Sequence, residues 1–238
     1  MNLHNLQYFL QELGNIKMSK FDIGIVVPAY NMPIDIITRF SQFIKSSMKS
    51  SSLNYDIYIP SNESDCLTFG TFNRSKATNC GIKYFLDKAD VIICTDVDIV
   101  PAPGIIDLTY KKSIQTDSLV FAMARYIDFK NKEFDFSPQA IKFYNSFPMA
   151  FWARGVWNSM TSKNWYKLGG WNEELYGWGY EDIELHLRSL KKNFDIYSLF
   201  CLLIHVNHPN RGLNRQIHST RNILMARNKN WINHNWLK

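Results

Sequence analysis

Cysteine is scarce and scattered: the 238 residues hold four, Cys66, Cys80, Cys94 and Cys201, with no CxxC pair and no cysteine–histidine spacing of the kind that binds zinc. A disulfide framework and a cysteine zinc centre are therefore excluded, and free thiols in a reducing compartment are expected. Long apolar runs are also missing, since none approaches the roughly 18 residues of a membrane-spanning helix. The first twenty residues place Leu3, Leu6, Phe9, Leu10 and Leu13 at helical intervals without a signal-peptide core, and read as an amphipathic helix. A soluble, cytoplasmic protein is the expectation. There is no internal repeat and no low-complexity linker. With 46% hydrophobic and 15% aromatic residues, the chain has the means to bury one core of its own.

Acidic residues vanish from one stretch. Between Asn207 and Lys238 there are six basic residues (Arg211, Arg215, Arg221, Arg227, Lys229 and Lys238) and no Asp or Glu, so the whole net charge of +6 sits there. Such a tail, carrying Trp231 and Trp236, suits either peripheral contact with an anionic membrane face or a helix laid over the core. Nucleic acid is not an expected partner, because no recognition motif accompanies the basic residues and the acidic motifs described next would repel phosphates in the absence of metal.

Apolar and polar periodicity gives the order of elements. Ile23 to Val27 is an apolar run stopped by Pro28, which reads as a buried strand, and Pro33 opens a helix with Ile36, Ile37, Phe40, Phe43 and Ile44 on one face. Tyr55 to Ile59 is a second strand and SNESD a loop. FNRSKATNCGIKYFLDKA is helical, and VIICTDVDIVP is a strand running into acids and a proline. This alternation predicts a parallel α/β sheet whose ligand lies beyond the carboxyl ends of the strands, where Pro28, Asp65 and Asp96 fall. Further on, Leu119 to Ala124 is a strand, Ile127 to Ser146 an aromatic-rich connection, and Glu181 to Lys192 a helix with both acids in its first turn. The expected organisation is a single catalytic domain over 1–238. It divides into an N-terminal helix (1–20), a nucleotide-binding half (21–124), an acceptor and catalytic half (125–208) and the basic tail (209–238).

Three groups of residues carry chemistry. Asp96 and Asp98, two apart at a strand end, are expected on one side of the pleat as hard oxygen ligands for magnesium or manganese gripping a diphosphate. In GGWNEELYGWGYEDIELHLRSL, glycines interleave with Trp171, Tyr176, Trp178 and Tyr180; the glycines let the chain bend around a ligand, the aromatic faces stack on sugars, and a carboxylate at the helix start can take a proton from a hydroxyl. The bland alternative is an aromatic corner with capping acids. His205 and His208, just after an apolar run, are candidate nitrogen ligands for the same metal.

Taken in order, these segments resemble the β-1,4-galactosyltransferase family and its relatives among GT-A glycosyltransferases. IGIVVPAYN is similar to that family's opening strand and nucleotide turn, FNRSKATNCGI to its FNRAKLLNVG segment, ICTDVDIVP to its DVD metal motif, and the stretch from RGVWNS to YGWGYEDIE to its GGVS and WGWGGEDDD motifs. The resemblance covers Ile23 to His208. It implies a Rossmann-like GT-A fold, a mixed and mostly parallel sheet flanked by helices. It implies a manganese or magnesium ion, a UDP-sugar donor of the galactose or N-acetylgalactosamine class, and an oligosaccharide or glycolipid acceptor. By position, Pro28 and Tyr30 would line the nucleotide, Phe72 and Arg74 would contact uridine and diphosphate, and Asp98 would bind metal with Asp96 beside the donor. Trp178 would line the sugar pockets, Glu181 would hold an acceptor hydroxyl, and Asp182 would be the base of an inverting transfer. His205 falls nearest the family's metal histidine, with His208 in competition. Tyr180 stands in place of a glycine, Ile183 and Glu184 in place of two trailing aspartates, and Trp152 near a donor-selecting aromatic. A retaining transferase or a polymerase-type transferase on the same fold, and a non-catalytic carbohydrate-binding module, are the alternatives.

Overall fold

The computed structural model describes residues 21–127, 137–147, 155–206, 215–227 and 229–238. The N-terminal helix expected over 1–20, His208 and Trp152 lie outside them. In chain order the elements are β1 (Phe21–Val26), α1 (Ile34–Ser47), β2 (Tyr55–Tyr58), the one-turn α2 (Glu63–Cys66), the hairpin β3 (Leu67–Thr68) and β4 (Thr71–Phe72), α3 (Arg74–Phe85), β5 (Ala89–Thr95), β6 (Ile99–Pro101) and α4 (Ile105–Thr116). There follow β7 (Leu119–Ile127), α5 (Pro138–Asn145), β8 (Trp157–Thr161), α6 (Ser162–Leu168), α7 (Glu181–Lys191), β9 (Ile196–Val206), α8 (Arg215–Ala226) and a short 3-10 turn (Lys229–Asn233).

The main sheet runs β2-β1-β5-β8-β7-β9-β6. Its first half, β2-β1-β5, is parallel as the strand-helix alternation requires, with Ile23 opposite both Tyr55 and Val91. β8 then enters antiparallel between β5 and β7, and β9 pairs parallel with β7, so the sheet is mixed. It passes unbroken through both halves of the chain.

Side chains along these strands alternate between two cores, the period-2 consequence of the pleat. Ile23, Ile25, Val91 and Ile93 face one layer with Phe40 and Ile44 of α1, Ile105 and Ile106 of α4, and Trp157. Val26, Ile92 and Cys94 face the other with Ile82 and Phe85 of α3, Trp165 and Leu168 of α6, Trp171, and Leu185 of α7. All of these are 8% exposed or less. α3 comes close to β1 because glycine occupies both contact points. A Cβ on Gly24 would lie 2.4 Å from the Phe85 ring, and one on Gly81 2.4 Å from Val26.

Two local expectations change. SNESD is not wholly a loop, because Glu63 to Cys66 closes one helical turn behind Asn62. VIICTDVDIVP is not one strand: β5 ends at Thr95, Asp96 to Asp98 turn, and β6 crosses to the far edge, where Ile99 pairs antiparallel with His205. The physical reason is capture of Ile99–Pro101 by the long β9, which satisfies backbone groups that β5 has no further neighbour to pair. Among the described residues no helix is long and apolar enough to cross a membrane.

The described part of the basic tail packs on the rest of the protein. Trp231 and Trp236 are 6% and 8% exposed and pack with Leu175, Met225 and Ala226. Of the two readings of the tail, these contacts match the helix laid over the core.

Candidate active site

The Asp96-Val97-Asp98 turn divides two clusters of side chains. A turn does not keep alternate residues on one face, so the shared-pleat expectation for the two aspartates fails. Asp96 reaches toward α3 and Asp98 toward β9.

On the β9 side, Asp98 Oδ2 stands 3.5 Å from His205 Nε2. The pair is framed by backbone pairing: Val206 N–H donates to the Asp98 carbonyl at 2.9 Å, and the Tyr126 ring stacks on the imidazole at 4.2 Å between centroids. Tyr126 lies opposite His205 in the β7–β9 register, which accounts for the stack. Two donors about 3 Å apart match neighbouring positions around one octahedral ion. A carboxylate oxygen beside an imidazole nitrogen suits manganese better than magnesium, which prefers oxygen throughout. Among the described residues no group of three or more His, Cys, Asp or Glu forms a complete cage. A diphosphate and water would have to complete the coordination, which suits an ion that binds together with its substrate.

On the α3 side, Arg74 is the hub. Its Nε and Nη2 donate to Asp96 Oδ1 at 3.0 and 2.8 Å, Nη2 also donates to the Gly155 carbonyl at 2.7 Å, and the guanidinium lies 4.8 Å from the centre of the Trp171 indole beneath it. Glu181 and Asp182 open α7 beside it. Tyr180 precedes them at φ 78°, in the left-handed region that a glycine occupies without strain. Gly155 lets α7 in, since a Cβ there would meet the Asp182 Cβ at 3.1 Å. The Asp182 carboxylate accepts from the Ile183 N–H at 2.8 Å.

Three carboxyls share the field of this one arginine. Burial lifts Glu181 to about 7, against the pull of Arg74 and with the push of Asp182 and Asp96. Burial also raises Asp182, opposed by the Ile183 N–H and Arg74, and raises Asp96, opposed by Arg74 and reinforced by Asp98. A site holding surplus acid near neutrality, at a helix N-terminus that favours the charged forms, can accept a proton from a bound hydroxyl.

The remaining expected residues take various places. Pro28 and Tyr30 follow the end of β1, with the Tyr30 hydroxyl donating to Glu63 at 3.2 Å. Phe72 ends β4, and its carbonyl accepts from the Gly177 N–H at 3.0 Å, tying the hairpin to the glycine-aromatic loop. Trp178 projects from that loop at 49% exposure. Asp65 sits apart, held by the Asn62 amide at 3.2 Å and bearing on Tyr58 and Cys80. Arg74 is committed to Asp96 and Gly155, so its clearest structural part is to order the acidic cluster. Trp171, expected among the sugar-stacking aromatics, is instead fully buried in the core beneath Arg74, and Gly155 and Tyr126 were not expected in any role. No spacing marks them, because each acts through a long-range approach of strands and helices. Asn73 and Asn79 were likewise read only as helix residues, yet they anchor the segment before the loop: Asn73 donates to the Glu173 carbonyl at 2.6 Å, and Asn79 exchanges bonds of 2.8 Å with the Trp171 backbone.

The fold has known counterparts. A family model described as the N-terminal domain of galactosyltransferase matches residues 142–211. The mouse (Mus musculus) β-1,4-galactosyltransferase 1 is 21% identical over 181 residues, 75% of this chain and 39% of that protein, so the chain spans well under half of this relative's length. The catalytic domain of Drosophila β1,4-galactosyltransferase 7, crystallised with xylobiose, superposes with a TM-score of 0.59 at 14% identity, covering 87% of this chain and 80% of that one. A structure of GalNAc-T7 with UDP, GalNAc and Mn2+ superposes with a TM-score of 0.51 at 12% identity, covering 88% and 48%. The fold is therefore that of the GT-A glycosyltransferases, and over residues 142–211 the sequence is similar to galactosyltransferases.

Proposed function

We propose that this protein is a metal-dependent glycosyltransferase. It moves a sugar of the galactose or N-acetylgalactosamine class from a UDP-sugar to a carbohydrate acceptor, with inversion at the anomeric carbon. The observation that carries the reading is the pairing of two unlike clusters across one turn, Asp98 with His205 on one side and Asp96, Arg74, Glu181 and Asp182 on the other. A carbohydrate-binding module needs the aromatic loop but neither cluster. The relatives add support: a second structure of the Drosophila enzyme contains manganese, UDP-Gal and xylobiose.

Asp98 and His205 would hold the ion, which supplies Lewis acidity to the leaving diphosphate. Pro28, Tyr30 and Phe72 line the nucleotide, and Trp178 covers the sugar. Glu181 accepts a hydrogen bond from an acceptor hydroxyl and orients it. Asp182 takes the proton of the attacking hydroxyl as its oxygen bonds to the anomeric carbon, while the bond from that carbon to the diphosphate oxygen breaks and its electron pair leaves with UDP. Arg74 keeps Asp96 and the two acids of α7 in one register.

A panel of UDP-sugars incubated with the protein and manganese, with and without chelator, tests the reading. Metal-dependent release of UDP that accelerates with an oligosaccharide acceptor is expected, and a product of opposite anomeric configuration to the donor. Asp98→Ala should weaken manganese-dependent UDP binding by about 100-fold or more. Release that ignores chelator ends the metal assignment, and a product that retains configuration ends the role of Asp182 as base.

A further inference from the structure

We propose that Asn222, assisted by Arg221, is a positioning residue for the transfer reaction: a strap on α8 that fixes the loop of residues 174–180 and so aims Trp178 and the Glu181–Asp182 pair. The role in catalysis rests on the transferase reading above; the strap itself rests on geometry alone. The loop needs an external lock. Gly177, Gly179 and Tyr180 all have positive φ, at 85°, 91° and 78°, and Trp178 between them is half exposed, so burial alone does not fix the loop.

α8 supplies the lock on one side. Asn222 is 1% exposed, and its amide Nδ2 donates to the carbonyls of Gly179 at 2.9 Å and Tyr176 at 3.3 Å, bracketing Trp178. Its amide oxygen Oδ1 accepts from Arg221 Nη1 at 2.9 Å. Arg221 Nη2 donates to the Glu174 carbonyl at 3.1 Å, and its guanidinium lies 3.7 Å from the centre of the Tyr176 ring. The glycine at 177 is matched to the same helix, because a Cβ there would meet the His218 ring at 2.4 Å. From the opposite side the Phe72 carbonyl holds the Gly177 N–H. The loop is thus pinned between the hairpin that carries Phe72 and the helix that carries Asn222. It leads directly into Glu181, whose charged neighbours are Arg74, Asp182 and Asp96 and not the strap.

Asn222→Asp is the sharpest test. It keeps the size of the side chain and the acceptor for Arg221, but turns a carboxylate oxygen toward two carbonyls that had received N–H bonds. Expected are a kcat lower by about 10- to 100-fold, as small misplacements of reacting groups produce, with manganese-UDP affinity within about twofold of the parent. Amide hydrogen exchange in 174–181 should accelerate while that of β1 and β5 stays unchanged. Should this variant not fold, Arg221→Met, which loses the Glu174 bond and keeps an aliphatic chain over Tyr176, is read by the same measurements. Unchanged exchange in 174–181 overturns the strap, and so does a kcat that is unchanged or that falls only with the folded fraction. If the parent protein transfers no sugar from any UDP donor, the transferase reading fails instead, and exchange alone then judges the strap.

Discussion

Two arginine–carboxylate pairs, one within α7 and one beside its start, are built for different ends. Arg188 and Glu184, one helical turn apart, are 2% and 6% exposed in their side chains. Arg188 donates to both Glu184 oxygens, at 2.7 and 3.2 Å, and to the carbonyls of Leu168 and Gly170, while its guanidinium lies over Trp236. Arg74 and Asp96 are 13% and 30% exposed, and the buried Arg74 Nη1 meets no protein acceptor among the described residues. One arginine balances one acid and ties off the turn at Leu168 to Gly170. The other faces three acids whose carboxyls all sit above their ordinary range. A closed pair stabilises an arrangement; an open one, with acid in excess, keeps a proton acceptor near neutrality.

The contrast breaks most visibly at Asp182. Asp182→Asn keeps the shape but removes the proton acceptor, and turnover should fall by about 10³- to 10⁴-fold, ~4 to 5 kcal/mol at the transition state. UDP binding and the unfolding midpoint should stay near the parent values. Turnover and folded fraction measured on the same samples decide this, and near-normal turnover removes Asp182 from the chemistry. The opposite pattern is expected at the closed pair. Arg188→Met leaves Glu184 buried and unpaired and should cost about 3 to 4 kcal/mol of stability, with activity per folded molecule preserved. Denaturant titration reads the first quantity; a loss of specific activity that exceeds the loss of fold would place Arg188 in the site.

Legibility in the sequence follows the range of the interactions. The parallel first half was readable because apolar runs and helix periods are local, and Asp182, Glu181 and Asp98 were proposed as site residues from contiguous motifs. The turn at Asp96 to Asp98 was misjudged because strand β6 is captured by β9, a partner 100 residues away that no local pattern announces. Gly155 was passed over for a related reason: its value is the empty space that Asp182 occupies. The tail illustrates the same limit. Six basic residues and two tryptophans fit a membrane face or a core-covering helix equally well, and the clustering of Trp231 and Trp236 with Leu175 is a tertiary fact that no local pattern announces. Arg74 was singled out for the diphosphate, whereas its hydrogen bonds to Asp96 and the Gly155 carbonyl, which give it an organising part, belong to tertiary structure.

The smallest effect tests the comparison through pH. Glu181 holds its proton up to about pH 7 in the folded metal-free protein, whereas in the unfolded chain it titrates in the ordinary glutamate range. The folded state therefore binds the proton more tightly, and the stability this contributes is complete below the unfolded pKa and lost as pH rises toward 7. Glu181→Gln never ionises, so its unfolding free energy should exceed that of the parent at pH 8, and the gap should close by about pH 4.5. The carboxyl is partly open to water, which screens its neighbours and holds the gap to about 1 kcal/mol. Glu184→Gln is the matching control: it breaks the closed pair and should destabilise the protein at pH 8, the reverse sign at a position one turn away. Activity should carry the same signature, with an acceptor-dependent rate that rises through about pH 7 in the parent and loses that limb in Glu181→Gln. A Glu181→Gln protein no more stable than the parent at pH 8 would mean that Arg74 neutralises all three acids, and that the two arginine pairs differ in exposure alone.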